Sequence, residues 1–131
     1  MTSRHISRAS AVLLFVEGLA LLFAPELVLA RLVPGFPDDA LWVGQLVAAG
    51  WLGIAALNWL SQSAKLGGIY GRPVVAANLA THFIGALVLI DAAASGGSSG
   101  WLWFLCAPSA LLAAAYGWLL MRGPTDMRTG L

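Results

Sequence analysis

The segment DALWVGQLVAAGWLGIAALNWL, Asp39–Leu60, runs without a charged side chain once past its first residue. A helical crossing of the hydrocarbon core needs roughly 20 predominantly apolar residues, and this stretch meets that length. Three more segments repeat it. The first span covers about residues 6–24, the third 73–94 and the fourth 101–121. The composition demands the same reading. Of 131 residues, 60% are hydrophobic and 10% charged, whereas a soluble domain carries about 25% charged residues to cover its surface. The sequence therefore reads as an all-α integral membrane protein, a single transmembrane domain formed by a four-transmembrane-helix bundle.

Local signals set the boundaries. Pro25 breaks the first helix and suits the first turn of a short interfacial helix over 25–32. The breakers Val33-Pro34-Gly35-Phe36-Pro37 follow. Asp38 is placed to N-cap the second span, where a carboxylate also suits the helix dipole. Pro73 suits a first turn, Ser95–Gly100 is a glycine-rich connection, and Gly123-Pro124 stops the last span. Arg4, Arg8 and the apolar run Ala11–Phe23 have the outline of a secretory leader, with Val28-Leu29-Ala30 as its cut. Glu17 inside that run and Pro25 beside the cut count against cleavage, so the stretch is read as a retained span.

Charge sets the orientation. Arg4, Arg8, Lys65, Arg72, Arg122 and Arg128 fall on one side, and Arg31 alone falls on the other. Positive residues stay inside, which places both termini in the cytoplasm and the chain in the cytoplasmic membrane. Trp42, Trp101 and Trp103 mark the outer ends of their spans, and Trp59, Tyr70 and Trp118 the inner ends, as in interfacial aromatic belts. Trp51 is the exception at mid-span.

The polar residues at membrane depth carry the functional question, because each ionisable one costs about 2.5–3.5 kcal/mol to insert. At 1.5 Å per residue, Glu17 and His82 fall level near the middle of the bilayer. Asn58, Asn78 and Tyr116 fall toward the inner half. If they converge, these five form a polar pocket open to the cytoplasmic side. Within it Glu17 and His82 are the candidate acid–base or proton-coupled pair, with Asn58, Asn78, Tyr116 and Trp51 as ligand-binding candidates. The structural alternative is that Asn58, Asn78 and His82 only tie helices together, His82 through Asn78 or Thr81. Gln45 points elsewhere, and Asp91 sits near the outer end of its span. Cys106 is a small buried hydrophobe. The small residues Gly44, Ala48, Ala49, Gly50, Gly53, Ala76, Ala77, Ala80, Gly85 and Ala86 mark close helix approach, although Gly50 and Gly53 flank Trp51, whose ring could contact a lipophilic ligand.

Absent motifs narrow the chemistry. The sequence has no phosphate-binding loop, paired-histidine metal motif or c-type haem motif, and one intramembrane histidine cannot make a bis-His haem site within the chain. No metal, cofactor or nucleic-acid partner is indicated. The expected partners are the lipid bilayer, a lipophilic small molecule, and further copies or a larger membrane complex.

The run Val16-Glu17-Gly18-Leu19-Ala20-Leu21-Leu22-Phe23-Ala24-Pro25-Glu26, then a loop and a Gly/Ala-rich second span, resembles the small DoxX-like membrane proteins over most of the chain. That resemblance implies a four-helix bundle and, for some members, association with quinone-linked oxidoreductases; it assigns no role to a particular residue. Glu17 in the first of four spans is also similar in placement to the carboxylate of the small multidrug transporters. The broken stretch Pro25–Pro37, the third-span aromatic pattern and the charge bias all depart from them. Three functions follow: an accessory or lipophile-binding subunit, a small enzyme or quinone-linked redox subunit using Glu17 and His82, and an oligomeric proton-coupled transporter. The first asks for no special geometry.

Overall fold

The computed structural model describes residues 3–63, 71–95 and 100–122. They form helices α1 (Ser3–Phe23), α2 (Pro25–Leu32), α3 (Leu41–Leu60), α4 (Arg72–Ala94) and α5 (Trp101–Arg122), with a 3₁₀ turn at Asp38–Ala40. Four of these helices are long and apolar enough to cross a membrane, and no strand occurs among the described residues. The protein is a small multi-pass membrane protein. Lys65, Tyr70, Arg128, the middle of the Ser95–Gly100 connection and the Gly123-Pro124 stop lie outside the described residues.

The break after α1 follows from proline chemistry. Pro25 has no N–H to give to the preceding turn, and Ala24 leaves the helical basin with φ −136° and ψ 52°. Pro25 then opens α2 at the expected residue, and α2 closes at Leu32 as expected. Such a break strands carbonyls of the first helix. The Gln45 side chain on α3 donates to the Leu22 carbonyl at 3.3 Å, which explains why this amide faces away from the other polar residues. Gly35 turns the chain with φ +78°, a conformation that side-chain-bearing residues avoid.

One expectation is corrected here. Asp38 does not cap the second span: Pro37 leads into the 3₁₀ turn, which moves the cap position of α3 to Ala40, a residue with no acceptor. Pro108 lies inside α5 without ending it, a tolerance characteristic of transmembrane helices, where neighbours satisfy the freed carbonyl.

The bundle is two antiparallel pairs. α1 packs along α3 and α4 along α5, while contact between the pairs is sparse. Glycines set the α1–α3 distance. A Cβ at Gly18 would sit 2.9 Å from Leu52 Cγ and 3.4 Å from the Ala48 carbonyl, and one at Gly44 would sit 3.1 Å from Leu21 Cδ1. Ala48 between them is fully buried. Gly50, Gly53 and Gly85 do not share this role, because a Cβ at each would meet open space. Burial follows one stripe of each helix; on α1 it runs through Ser7, Ser10, Leu14, Gly18 and Leu21.

The end at which α1 begins and α5 finishes, here the terminal end, is closed by a buried cluster of Ile6, Val74, Val75 and Tyr116. There Arg8 Nε also donates to Gln62 Oε1 at 2.5 Å. At the opposite, loop end, α2 lies against α1 and α3 and reaches α5, with the Arg31 guanidinium 5.3 Å from the Trp101 ring centre. The outward faces carry exposed Phe15, Leu46, Ile84, Phe104 and Leu111, which suit a hydrocarbon solvent. Trp42, Trp101 and Trp103 are exposed at the loop end, Trp59 and Trp118 at the terminal end.

Candidate functional site

Where the two helix pairs meet, a polar network holds them. Asn58 of α3 and Asn78 of α4 exchange two hydrogen bonds: Asn58 Nδ2 donates to Asn78 Oδ1 at 2.7 Å, and Asn78 Nδ2 donates to Asn58 Oδ1 at 2.5 Å. The second proton of each amide is also used. Asn58 gives its own to Ser10 Oγ at 2.9 Å, and Asn78 gives its own to the Val74 carbonyl at 2.9 Å. Ser10 Oγ further contacts His82 Nε2 at 2.8 Å and Asn78 Oδ1 at 3.1 Å. All four side chains are at most 2% exposed. A buried network is favourable only when its members are satisfied, and here all four amide N–H groups are.

Tyr116 of α5 packs onto this network through its ring, which stacks on the His82 imidazole with centres 6.0 Å apart and planes 8° from parallel. Its phenol lies close to the Ser7 and Ser10 hydroxyls without the geometry of a well-formed hydrogen bond, and the Ser7 hydroxyl likewise has none; both are fully buried. Fully buried polar groups without a partner are uncommon in native structures.

Four of the five residues expected to converge therefore do so: Asn58, Asn78, His82 and Tyr116. Three features of that expectation change. The cluster is sealed rather than an open pocket. His82 bonds to Ser10, not to Asn78 or Thr81, since the Thr81 hydroxyl donates to its own helix at the Ala77 carbonyl, 2.8 Å away. Glu17 stands outside the network, two turns further along α1 than Ser10.

Ser7 and Ser10 are the members that reading charged and amide residues alone passes over. Their signal is spacing. Ser7, Ser10, Leu14 and Glu17 recur at three- and four-residue steps, which puts the two hydroxyls on the face of α1 that Glu17 also occupies.

Above the network the helix pairs diverge around two adjoining cavities. The inner one, about 270 Å³, has Glu17, Trp51, Thr81, His82, Gly85 and Ser109 in its wall, with leucines and a valine. The outer one, about 540 Å³, lies beneath α2 and is walled almost wholly by apolar side chains, among them Leu27, Phe36, Val47, Trp101 and Phe104. Glu17, Leu32, Trp51 and Leu105 line both. Glu17 and His82 thus share a cavity without sharing a hydrogen bond, and Trp51 belongs to the same walls. Gly50 and Gly53, which flank Trp51 in sequence, draw no helix close.

Asp91 is exposed, as its place near the end of α4 suggests. The buried Cys106 has its thiol 3.9 Å from the Ala86 carbonyl, a helix-to-helix contact between α5 and α4. No family model matches the chain, and neither a curated protein nor a solved structure shows significant similarity to it.

Proposed function

We propose that this protein is a lipophile-binding subunit of the cytoplasmic membrane, with both termini in the cytoplasm. One observation carries the reading. The helix pairs are joined at the terminal end and leave between them an apolar cavity of about 540 Å³, continuous through shared wall residues with a smaller one that contains Glu17 and His82. Ligand sites have this form, a mostly apolar concavity of roughly 300–1,000 Å³ with a few polar groups at one place. The concavity opens at the side of the bundle, where Trp101 and Phe104 of its wall are exposed, so a lipophilic chain can enter it from the bilayer.

The test is retention. The protein extracted in mild detergent and examined by native mass spectrometry is expected to carry a lipophilic molecule at fixed stoichiometry. Val47→Trp fills the outer cavity and Gly85→Leu the inner one; both are expected to lose that molecule while keeping helical content and a monodisperse elution profile. Wild-type protein that keeps no such molecule, or filled variants that keep it equally, would overturn the reading.

A further inference from the structure

We infer that the inner cavity reads the head of its ligand, and that this head is a neutral hydroxyl on a long apolar chain. The inference rests on the lipophile-binding reading above and adds the chemistry of the head. It starts from the single proton of Ser10. The amide protons of Asn58 and Asn78 are all committed, one of them to Ser10 Oγ. If the Ser10 proton went to His82 Nε2, Ser10 Oγ and Asn78 Oδ1 would face each other at 3.1 Å as two acceptors. If it goes to Asn78 Oδ1, His82 Nε2 carries a hydrogen and donates to Ser10 at 2.8 Å, and every contact in the network pairs a donor with an acceptor. The count thus assigns the Nε2–H tautomer. It leaves Nδ1 a bare acceptor on a ring that stands in the inner cavity wall, and that atom is assigned to the ligand.

Two other groups in that wall have no hydrogen-bond partner among the described residues: the Glu17 carboxyl and the Ser109 hydroxyl. No cation sits in the inner wall with them. Arg31 lines the outer cavity with Glu17, where its guanidinium sits over the Trp101 ring, and the Glu17 carboxyl facing the inner cavity is taken as the neutral acid, a donor of one hydrogen bond. The cavity then offers one acceptor, His82 Nδ1, and two donors, Glu17 and Ser109. A hydroxyl has the matching complement, one proton and two lone pairs. A carboxylate head finds no counter-charge in the inner wall, and a methyl ether lacks the proton that Nδ1 accepts. The adjoining apolar cavity takes the chain. Fatty alcohols and diacylglycerols share this chemistry.

The experiment uses the full-length protein in nanodiscs and four photoreactive probes with the same diazirine-bearing sixteen-carbon chain. Their heads are a primary alcohol, its methyl ether, a carboxylate and a quaternary ammonium. The alcohol is expected to label the peptides holding Glu17 and Trp51 about tenfold more than the ether, the effect of one hydrogen bond worth about 1.4 kcal/mol. Ser109→Ala, outside the seam network, is expected to lower alcohol and ether labelling alike, since both oxygens accept from Ser109, and to leave the alcohol's preference over the ether in place. Gly85→Leu abolishes both. Equal labelling by alcohol and ether, or a preference for the carboxylate or ammonium, overturns the hydroxyl assignment and leaves the lipophile-binding reading standing. If no probe labels the cavity above its labelling of the outer faces, both fall. A diacylglycerol competing more strongly than hexadecanol would identify a two-chain ligand within the same assignment.

Discussion

Asn58 and Asn78 face each other amide to amide across the line where the two helix pairs meet, each donating to the other at 2.7 and 2.5 Å. The pairing turns two independent hairpins into one bundle. Apolar packing between the pairs is sparse, and lipid competes with it on nearly equal terms, so polar contacts and fit decide association. The network lies at one end only. The same arrangement that joins the pairs there lets them separate further along, where the cavities are.

The amide pair is expected to behave as a unit. Replacing Asn78 by Leu leaves Asn58 with a buried N–H and carbonyl unpaired, a loss of about 1–3 kcal/mol. Replacing both removes the stranded groups and is expected to cost less than the sum of the single changes, with a coupling of about 1 kcal/mol. Reversible unfolding in mixed micelles measures this double-mutant cycle. Strictly additive losses would show that the two amides act separately.

Tyr116 separates ring from hydroxyl. The ring stacks on His82, whereas the phenol has no hydrogen bond. Tyr116→Phe is expected to leave stability unchanged or raise it by up to about 1 kcal/mol, because it removes a buried polar atom with nothing to lose. Tyr116→Ala is expected to cost about 3–5 kcal/mol through the void it opens. The same unfolding assay distinguishes them, and a large loss in the Phe variant would mean that the phenol bonds to the neighbouring Ser7 or Ser10 hydroxyl.

How the fold follows from the sequence is clearest at the proline-marked boundaries. α2 begins at Pro25, as that residue alone predicts, because a missing N–H acts locally and needs no tertiary context. Asp38 fails for the complementary reason. Whether a carboxylate caps a helix depends on which residue occupies the cap, and Pro37 and the 3₁₀ turn shift that position by two residues to Ala40. At the site, Asn58, Asn78, His82 and Tyr116 were legible from depth along their spans. Ser7 and Ser10 were not, since serine is common on helix faces and only the arrival of Asn58 and His82 gives these hydroxyls a purpose. The separation of Glu17 from the network, and the cavity between them, depend on how far apart the pairs lie. That distance is a property of packing and no residue states it.

Gly18 and Gly53 test which glycines hold helices close. A side chain at Gly18 meets Leu52 at 2.9 Å and approaches the Ala48 backbone, so Gly18→Leu must push α1 from α3 at a cost of about 1–3 kcal/mol. Gly53→Ala meets nothing and removes the helix penalty of glycine, so stability is expected to hold or to rise by up to about 1 kcal/mol. Equal effects at the two positions would show that the α1–α3 seam is not where the close contact lies.

The orientation rests on charge, and cysteine labelling reaches it directly. The native Cys106 is 4% exposed, so a membrane-impermeant maleimide has little background in this chain. Ser3 begins α1 at the terminal end, while the exposed Asp38 and Ser95 lie at the loop end. Among the described residues Arg31 stands at the loop end against Arg4, Arg8, Arg72 and Arg122 at the other, so the loop end is the one expected to cross. Reagent applied to intact cells is then expected to label Asp38→Cys and Ser95→Cys, and to reach Ser3→Cys only after permeabilisation. The reverse pattern would place the termini outside. Labelling of all three positions from one side would be harder to accommodate. It would require both orientations in the membrane, and with them an antiparallel pair of copies that the charge distribution argues against.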